Sequence, residues 1–501
     1  MTFASVSFLI FFALVIFAQW LIYYVLPLSR KNRRNVSHVF LWIASYVFYG
    51  WWDAHFLTLL LGVTLVAFFS AAPKDEKRLA QSRVRLGIGV GVPLLVLGVF
   101  KYFDFFVESF CQAFGITQPA GLSLILPVGI SFYTFQALSY TIDVYQGRLP
   151  REKSFVHFAL YISFFPQLVA GPIVKAADFL PQLNEERRVT MKRLEKGMQI
   201  FVFGMLKKVV LADNLSIFVD EVFETPGMFS SGTVALAVIS YGIQIYMDFS
   251  GYSDMAIGCA HCLGYDLNRN FNLPYLSQNV SEFWKRWHIS LSTWLQQYLY
   301  IPLGGNRRGR VRMYCNLMIT MLLGGLWHGA GWNFVIWGGL HGAALCVHKM
   351  FRSSRKKAQH DRAPAAGENV KVAAKETPCP GRILCILLTD MFVLFCWIFF
   401  RAESLGQAVA VLAQLFGMRA GVRHIYSWSI VALVLVAVST LVAVIASYRE
   451  NGQGRVSGTV DGFYPVLDLS RYWSLVIFFV EIGLILGLAY VGGSPFIYFQ
   501  F

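Results

Sequence analysis

Two histidines stand where an imidazole could act as a general base. His328 lies within LLGGLWHGAGWNFVIWGGLHG, from Leu322 to Gly342, between two apolar runs and among Gly324, Gly325, Gly329 and Gly331. Glycine lets backbone and ligand approach closely. An ionisable side chain inside an apolar span is expensive to keep, so a functional role is its default reading. A neutral imidazole is a general base at neutral pH. The structural alternative is a buried histidine that hydrogen-bonds a neighbouring helix.

His288 lies in SEFWKRWHISLSTWLQQ, residues 281–297. Asn279 followed by Glu282 has the form of a helix-start pair. Trp284, Trp287, His288, Leu291 and Leu295 then recur at helical spacing. Lys285 and Arg286 lie beside that face. The pattern predicts an amphipathic helix that lies at, or dips into, a membrane. A turn at 301–305 leads to Arg307, Arg308, Arg310 and Arg312. These arginines either anchor a loop on the cytoplasmic side or dock a phosphate-bearing donor such as coenzyme A. Asp248 and Asp254, in YMDFSGYSD, are further candidates. Their structural alternative is pairing with Arg286 or a neighbouring basic residue. Asp390 and Glu481 fall in late apolar runs and carry the same two readings.

These side chains need long apolar helices to hold them. The chain has 501 residues, 56% hydrophobic and 14% charged, against about 25% charged in soluble domains. Mean hydropathy is +0.53. Apolar runs fall near 5–28, 38–51, 54–72, 86–103, 122–140, 197–214, 232–250, 313–326, 332–350, 383–401, 428–447 and 473–491. The expected fold class is all-α, a polytopic integral membrane protein of about 11–13 transmembrane helices with re-entrant and amphipathic helices. Residues 155–172 are apolar but broken by Pro166, Gly171 and Pro172, and read as re-entrant. Residues 2–28 have no basic leader and no small-x-small cleavage site, so they read as a first span rather than a signal peptide.

The net charge of +15 would suggest nucleic acid in a soluble protein. Here basic loops account for it, and no nucleic-acid partner is expected. Arg30, Lys31, Arg33 and Arg34 mark one cytoplasmic loop. Lys74, Lys77, Arg78, Arg83 and Arg85 mark another. Residues 213–231 carry Asp213, Asp220, Glu221 and Glu224 without a basic residue and suit the outer face, which places both termini outside. Arg401, Arg419 and Arg423 exceed Glu403 in an outer loop and break the pattern. Residues 351–382 are polar and read as a flexible cytoplasmic linker. It separates a membrane core, 1–350, from C-terminal helices and an aromatic tail, 383–501. The eight cysteines form no disulfide framework. Cys259-Ala-His-Cys262 lacks a second pair to complete a tetrahedral site, so no metal is expected. No repeat of the transporter kind is visible, which counts against a secondary transporter. A non-catalytic scaffold is a third class.

The chain resembles the membrane-bound O-acyltransferase family. The resemblance is carried by WKRWHISLS (284–292) and GGLWHGAGWNFVIWG (324–338). It extends to LPVGISFYTFQALSY (126–140), FFPQLVAGPI (164–173), YMDFSGYSDMAIG (246–258) and NFNLPY (270–275). It implies a catalytic histidine at His328 and a second at His288, with helices set around a central tunnel. Acetyl-CoA would be a substrate, with no cofactor held. His328 would deprotonate an acceptor hydroxyl and His288 would position the donor, with Asn333 as a hydrogen-bond partner. Trp284, Trp287, Trp327 and Trp332 would wall the tunnel and exclude water, with packing or interface anchoring as the structural alternative. Arg286, Asp248 and Asp254 would line the same passage. The ending SPFIYFQF resembles a terminal tyrosine motif of envelope acylation, which makes Tyr498 an acyl relay. The resemblance implies a multi-pass protein of the bacterial cytoplasmic membrane, in contact with membrane lipids and an acyl-CoA. It would acetylate an alginate-like exopolysaccharide through a periplasmic hydrolase-like acetyltransferase. Peptidoglycan O-acetylation is a close alternative, and D-alanyl transfer to teichoic acid a more distant one.

Overall fold

The computed structural model describes residues 1–117, 124–169, 171–360, 379–450, 467–490 and 496–497. It is 75% helical. Among the described residues there is no strand beyond one isolated bridge, Phe229 with Val422. In chain order the helices are α1 Val6–Tyr24, α2 Arg30–Gly50, α3 Phe56–Ser70, α4 Leu79–Leu97, α5 Phe103–Phe114, α6 Ile130–Tyr145, α7 Phe155–Ser163, α8 Phe165–Leu168, α9 Ala176–Leu183, α10 Met191–Met205, α11 Asp213–Glu224, α12 Ser231–Cys262, α13 Val280–Arg286, α14 Ile289–Leu295, α15 Arg310–His328, α16 Trp332–His360, α17 Cys379–Arg401, α18 Leu405–Phe416, α19 Ser427–Glu450 and α20 Tyr472–Leu488.

Every apolar run named above overlaps at least one of these helices. Among the described residues, five stretches are long and apolar enough to cross a membrane: Val6–Tyr24, Leu79–Phe114, Ser231–Cys262, Trp332–Phe351 and Gly381–Arg401. Shorter apolar helices stand at Phe56–Ser70, Leu405–Phe416, Ser427–Val438 and Tyr472–Leu488. This is a multi-pass membrane protein. The run near 122–140 starts its helix later, at Ile130, because Gly129 sits at φ 75° with Pro127 just before it. Residues 155–172 form two short helices broken at Phe164. Phe158–Leu168 are buried throughout, the condition under which broken backbone is tolerated at membrane depth. Residues 351–360 continue α16 and residues 379–382 begin α17, while 361–378, the middle of the expected linker, lie outside the described residues.

The chain forms two compact units. The first holds Met1–Asn214, Gln244–Arg269 and Ala446–Phe501. Within it α10 and the last turns of α12 run backbone to backbone. A Cβ on Gly197 would lie 2.7 Å from the Gly258 oxygen, and one on Gly204 would lie 2.6 Å from the Gly251 oxygen. The first basic loop is tied to acidic partners, Arg33 to Glu186 at 3.4 Å. Nearby, Arg187 and Arg193 reach Asp266 at 3.1 and 3.2 Å.

The second unit holds Leu215–Ile243 and Asn270–Ile445. Its centre is the hairpin of α15 and α16. Gly325 and Gly338 face each other across it, with a Cβ on Gly325 only 3.2 Å from Gly338 Cα. Arg401, whose charge breaks the loop pattern, is ion-paired with Asp220 at 2.6 Å. One charge of that excess is therefore balanced by Asp220.

Candidate active site

The second unit builds a histidine cluster. Asn279 accepts the Glu282 backbone N–H at 2.9 Å and starts α13, as the sequence predicts. The continuous amphipathic helix expected over 281–297 does not form. Trp287 is extended, and His288 takes left-handed angles, φ 43° and ψ 56°, before α14 begins. Such a conformation costs about 1–3 kcal/mol in a non-glycine residue. Asn270 holds it there. Its main-chain oxygen accepts Ile289 N–H at 2.9 Å. Its side-chain oxygen accepts Ser290 N–H at 3.2 Å and the Ser290 hydroxyl at 2.9 Å.

The same oxygen lies 3.1 Å from His288 Nδ1. A backbone N–H can only donate, so the Asn270 atom facing Ser290 is oxygen. His288 Nδ1 therefore carries the proton, and Nε2 is the lone-pair nitrogen of the neutral ring. Burial pushes His288, which lies outside the five spans, down to about 3. Between pH 8 and pH 5 the ring should stay neutral. In ¹⁵N spectra of histidine-labelled protein, the Nδ1–H tautomer of His288 is expected to persist across that range. An imidazolium signal for it above pH 5 would contradict the assignment.

His328 closes α15, and Gly329 leaves the helix in an extended conformation. Its ring centroid lies 5.0 Å from Trp327, 5.1 Å from Trp337, 5.2 Å from Phe400 and 6.2 Å from His288. His288 is 0% and His328 3% exposed. Two histidines forty positions apart in the sequence thus share one apolar, aromatic-walled place. Trp287 packs on Trp397 at 5.0 Å, and Trp284 on Trp337 at 5.7 Å. Trp327 stands 5.9 Å from His288. Trp332 differs: it is 53% exposed at the start of α16, a position suited to a membrane interface.

Other expected residues sit elsewhere. Asn333 donates to the Ala402 carbonyl at 2.6 Å and ties α16 to the end of α17; the carboxamide on His288 is Asn270. Arg286 binds Glu282 at 2.8 Å and the Asn272 carbonyl at 3.2 Å. It is not the partner of Asp248 or Asp254. Those two belong to the first unit, where Asp248 pairs with Lys208 at 2.7 Å and Asp254 with Lys207 at 2.6 Å. Tyr498 lies outside the described residues.

Three contributors escape the sequence reading. Asn270 has no periodic link to His288. His341 is fully buried and accepts Trp284 Nε1–H at Nδ1, 3.3 Å away; as an ionisable residue in an apolar span it could have been flagged. Phe400 arrives from α17, beyond the linker. Loss of the Asn270 carboxamide in Asn270→Ala removes one buried hydrogen bond from His288 and two from Ser290. A single such bond is worth about 1–3 kcal/mol when its partner is left buried, so turnover should fall roughly 10–100-fold. Acyl-transfer rates of the purified variant check this.

A cavity of about 390 Å³ lies in the same unit, lined by Tyr300, Gly304, Gly305, Asn306, Arg307 and Arg308 among others. Lys349 Nζ reaches the Tyr300 hydroxyl at 3.2 Å and Asn306 at 3.0 Å. The turn and the first two arginines therefore form a cationic hollow.

An all-helical, multi-pass membrane protein with two buried imidazoles in an aromatic setting has the layout of a membrane acyltransferase. A profile of MBOAT, the membrane-bound O-acyltransferase family, matches residues 148–375. The chain is 37% identical over 493 residues to "Probable alginate O-acetylase AlgI" of Pseudomonas putida, covering 95% of this chain and 96% of that one. It is 42% identical over 424 residues to the protein of the same description from Pseudomonas aeruginosa, covering 83% and 75%. It is 37% identical over 423 residues to "Peptidoglycan O-acetyltransferase" of Helicobacter pylori, covering 79% and 76%. The chain belongs to the membrane-bound O-acyltransferase family, and it is an O-acyltransferase.

Proposed function

We propose that this protein takes an acetyl group from acetyl-CoA on the cytoplasmic side of the bacterial inner membrane and delivers it for O-acetylation of an extracytoplasmic glycan of the alginate type. The observation that carries the reading is the pairing of His328 with a tautomer-fixed His288, ring centroids 6.2 Å apart. The names of the relatives in two Pseudomonas species favour the acetyl group and the alginate-like acceptor.

In this reading the acceptor hydroxyl gives its proton to an imidazole nitrogen of His328 as its oxygen attacks the thioester carbonyl. The C–S bond then breaks, and the thiolate leaves with that proton. His288 Nε2, a lone-pair nitrogen, accepts a hydrogen bond from the substrate and orients it. The surrounding indoles keep water from competing for the acyl group. Arg307 and Arg308 hold the phosphates of coenzyme A, a role suited to guanidinium geometry. Tyr498 is the first acceptor, and its acyl ester passes to a periplasmic hydrolase-like acetyltransferase.

Purified protein in lipid nanodiscs with [¹⁴C]acetyl-CoA tests this. The expected result is acetyl label on the protein, lost in Tyr498→Phe, and transferred to alginate oligomers once the periplasmic partner is added. Transfer to peptidoglycan fragments instead of alginate would move the acceptor to that of the Helicobacter relative. Saturable solute flux, indifferent to His328→Ala, would overturn the enzyme reading for a transporter.

A further inference from the structure

We propose that Lys208, Asp213 and Asp248 form a built receptor for the Phe496–Ile497 segment, holding it at a fixed place and thereby positioning Tyr498, the next residue. The proposal rests on the relay reading for its purpose, but the docking stands on its own geometry within the first unit.

The receptor follows from the helix pair. Gly197 opposite Gly258 and Gly204 opposite Gly251 define an antiparallel register between α10 and α12. One turn further on, that register brings Lys208 to Asp248. Residues Leu206–Ala212 are π-helical, a local widening that is frequent at functional sites. Lys208 Nζ lies 2.7 Å from Asp248 Oδ1 and 2.7 Å from Asp213 Oδ1, with all three side chains no more than 5% exposed. One ammonium faces two carboxylates in a buried place. Buried carboxylates are stable only where donors meet them.

Ile497 supplies such a donor. Its main-chain N–H gives a hydrogen bond to Asp248 Oδ2 at 2.8 Å. Lys208 occupies the other oxygen, so the carboxylate is oriented before the segment arrives. Charge-assisted bonds of this kind are about twice as strong as neutral ones. Phe496 packs its ring 4.2 Å from Tyr252 and 5.8 Å from Phe249, which flank Asp248 on the same stretch of α12. Phe496 and Ile497 are 1% and 3% exposed.

The approach to the receptor is also secured. Asn214 Nδ2 donates to the Leu488 carbonyl at 3.0 Å, and Tyr490 N–H donates to the Val209 carbonyl at 3.3 Å. The end of α20 is thus tied to the π-helical segment that carries Lys208. The receptor reads a peptide N–H against Asp248 and an aromatic ring one residue earlier.

Trimming by carboxypeptidase of the full chain in nanodiscs tests the dock, read by mass spectrometry. In the wild type, trimming should stall before Ile497. Phe496→Ala removes the ring that packs on Tyr252 and Phe249 and should speed removal of residues 496–497 about ten-fold or more. Ile497→Val keeps the donating N–H and should trim at the wild-type rate. The tail substitutions leave the contacts between helices in place, so helix content should be unchanged. For acetyl transfer, Phe496→Ala should lower kcat with the KM for acetyl-CoA unchanged. Equal trimming of wild type and Phe496→Ala would overturn the dock. Normal transfer by Tyr498→Phe, with trimming still faster in Phe496→Ala, would leave the dock standing and remove the relay.

Discussion

Replacing His328 with alanine should leave a folded, membrane-inserted protein whose acyl transfer is slower by about 10²–10⁴-fold, the contribution of one general acid–base group. The imidazole is nearly buried, with Trp327, Trp337 and Phe400 rings all within 5.2 Å. An alanine there opens a void, so His328→Gln is the companion variant: it fills the space and keeps hydrogen bonding but has no basic nitrogen. Both should lose turnover alike while thermal unfolding and detergent solubility stay near wild type. His341→Gln is the contrast. Its Nδ1 already accepts Trp284, so its loss should weaken packing more than chemistry.

The second large effect concerns the frame that holds His328. A Cβ on Gly338 would run into the Met321 carbonyl and the Gly325 Cα. Backbone atoms cannot rotate away, so α15 and α16 would have to separate. Gly338→Ala should cost about 1–3 kcal/mol and displace His328, which closes α15. The neighbouring Gly339 is the control. A Cβ there would meet only Leu322 Cδ2 at 3.5 Å, an ordinary contact, and Gly339→Ala should unfold like the wild type. Thermal unfolding of the two variants in nanodiscs, measured with transfer activity, checks the difference.

Much of the fold was legible in the sequence because lipid-facing helices leave an unambiguous record. Unbroken apolar runs mark α1, α12 and α17 directly. The re-entrant stretch 155–172 was legible through Pro166 and Gly171, and Asn279 correctly starts α13. Hydropathy could not show the break at His288. Trp284, Trp287 and His288 have helical spacing, and nothing local signals φ 43° at a histidine. The break is enforced from a distance, by Asn270 bonding His288, Ile289 and Ser290. Tertiary hydrogen bonds of this kind leave no periodic trace.

The partners of the charged residues were hidden for the same reason. Asp248 and Asp254 were rightly suspected of ion pairing, but Lys208 and Lys207 are the partners. Helix register set by Gly197, Gly204, Gly251 and Gly258 decides that pairing, and register between two separate helices cannot be read from either alone. The basic excess after Arg401 looked anomalous for an outer loop. The ion pair with Asp220 accounts for Arg401's share of it.

A double-mutant cycle on His328 and His288, read as the initial rate of coenzyme A release from acetyl-CoA in the presence of acceptor, tests whether the two rings form one catalytic centre. Groups that act as a unit are strongly non-additive. His328→Ala combined with His288→Gln should therefore be about as slow as His328→Ala alone. A double variant whose loss is the product of the two single losses would mean that the rings act independently, and the shared centre would be refuted.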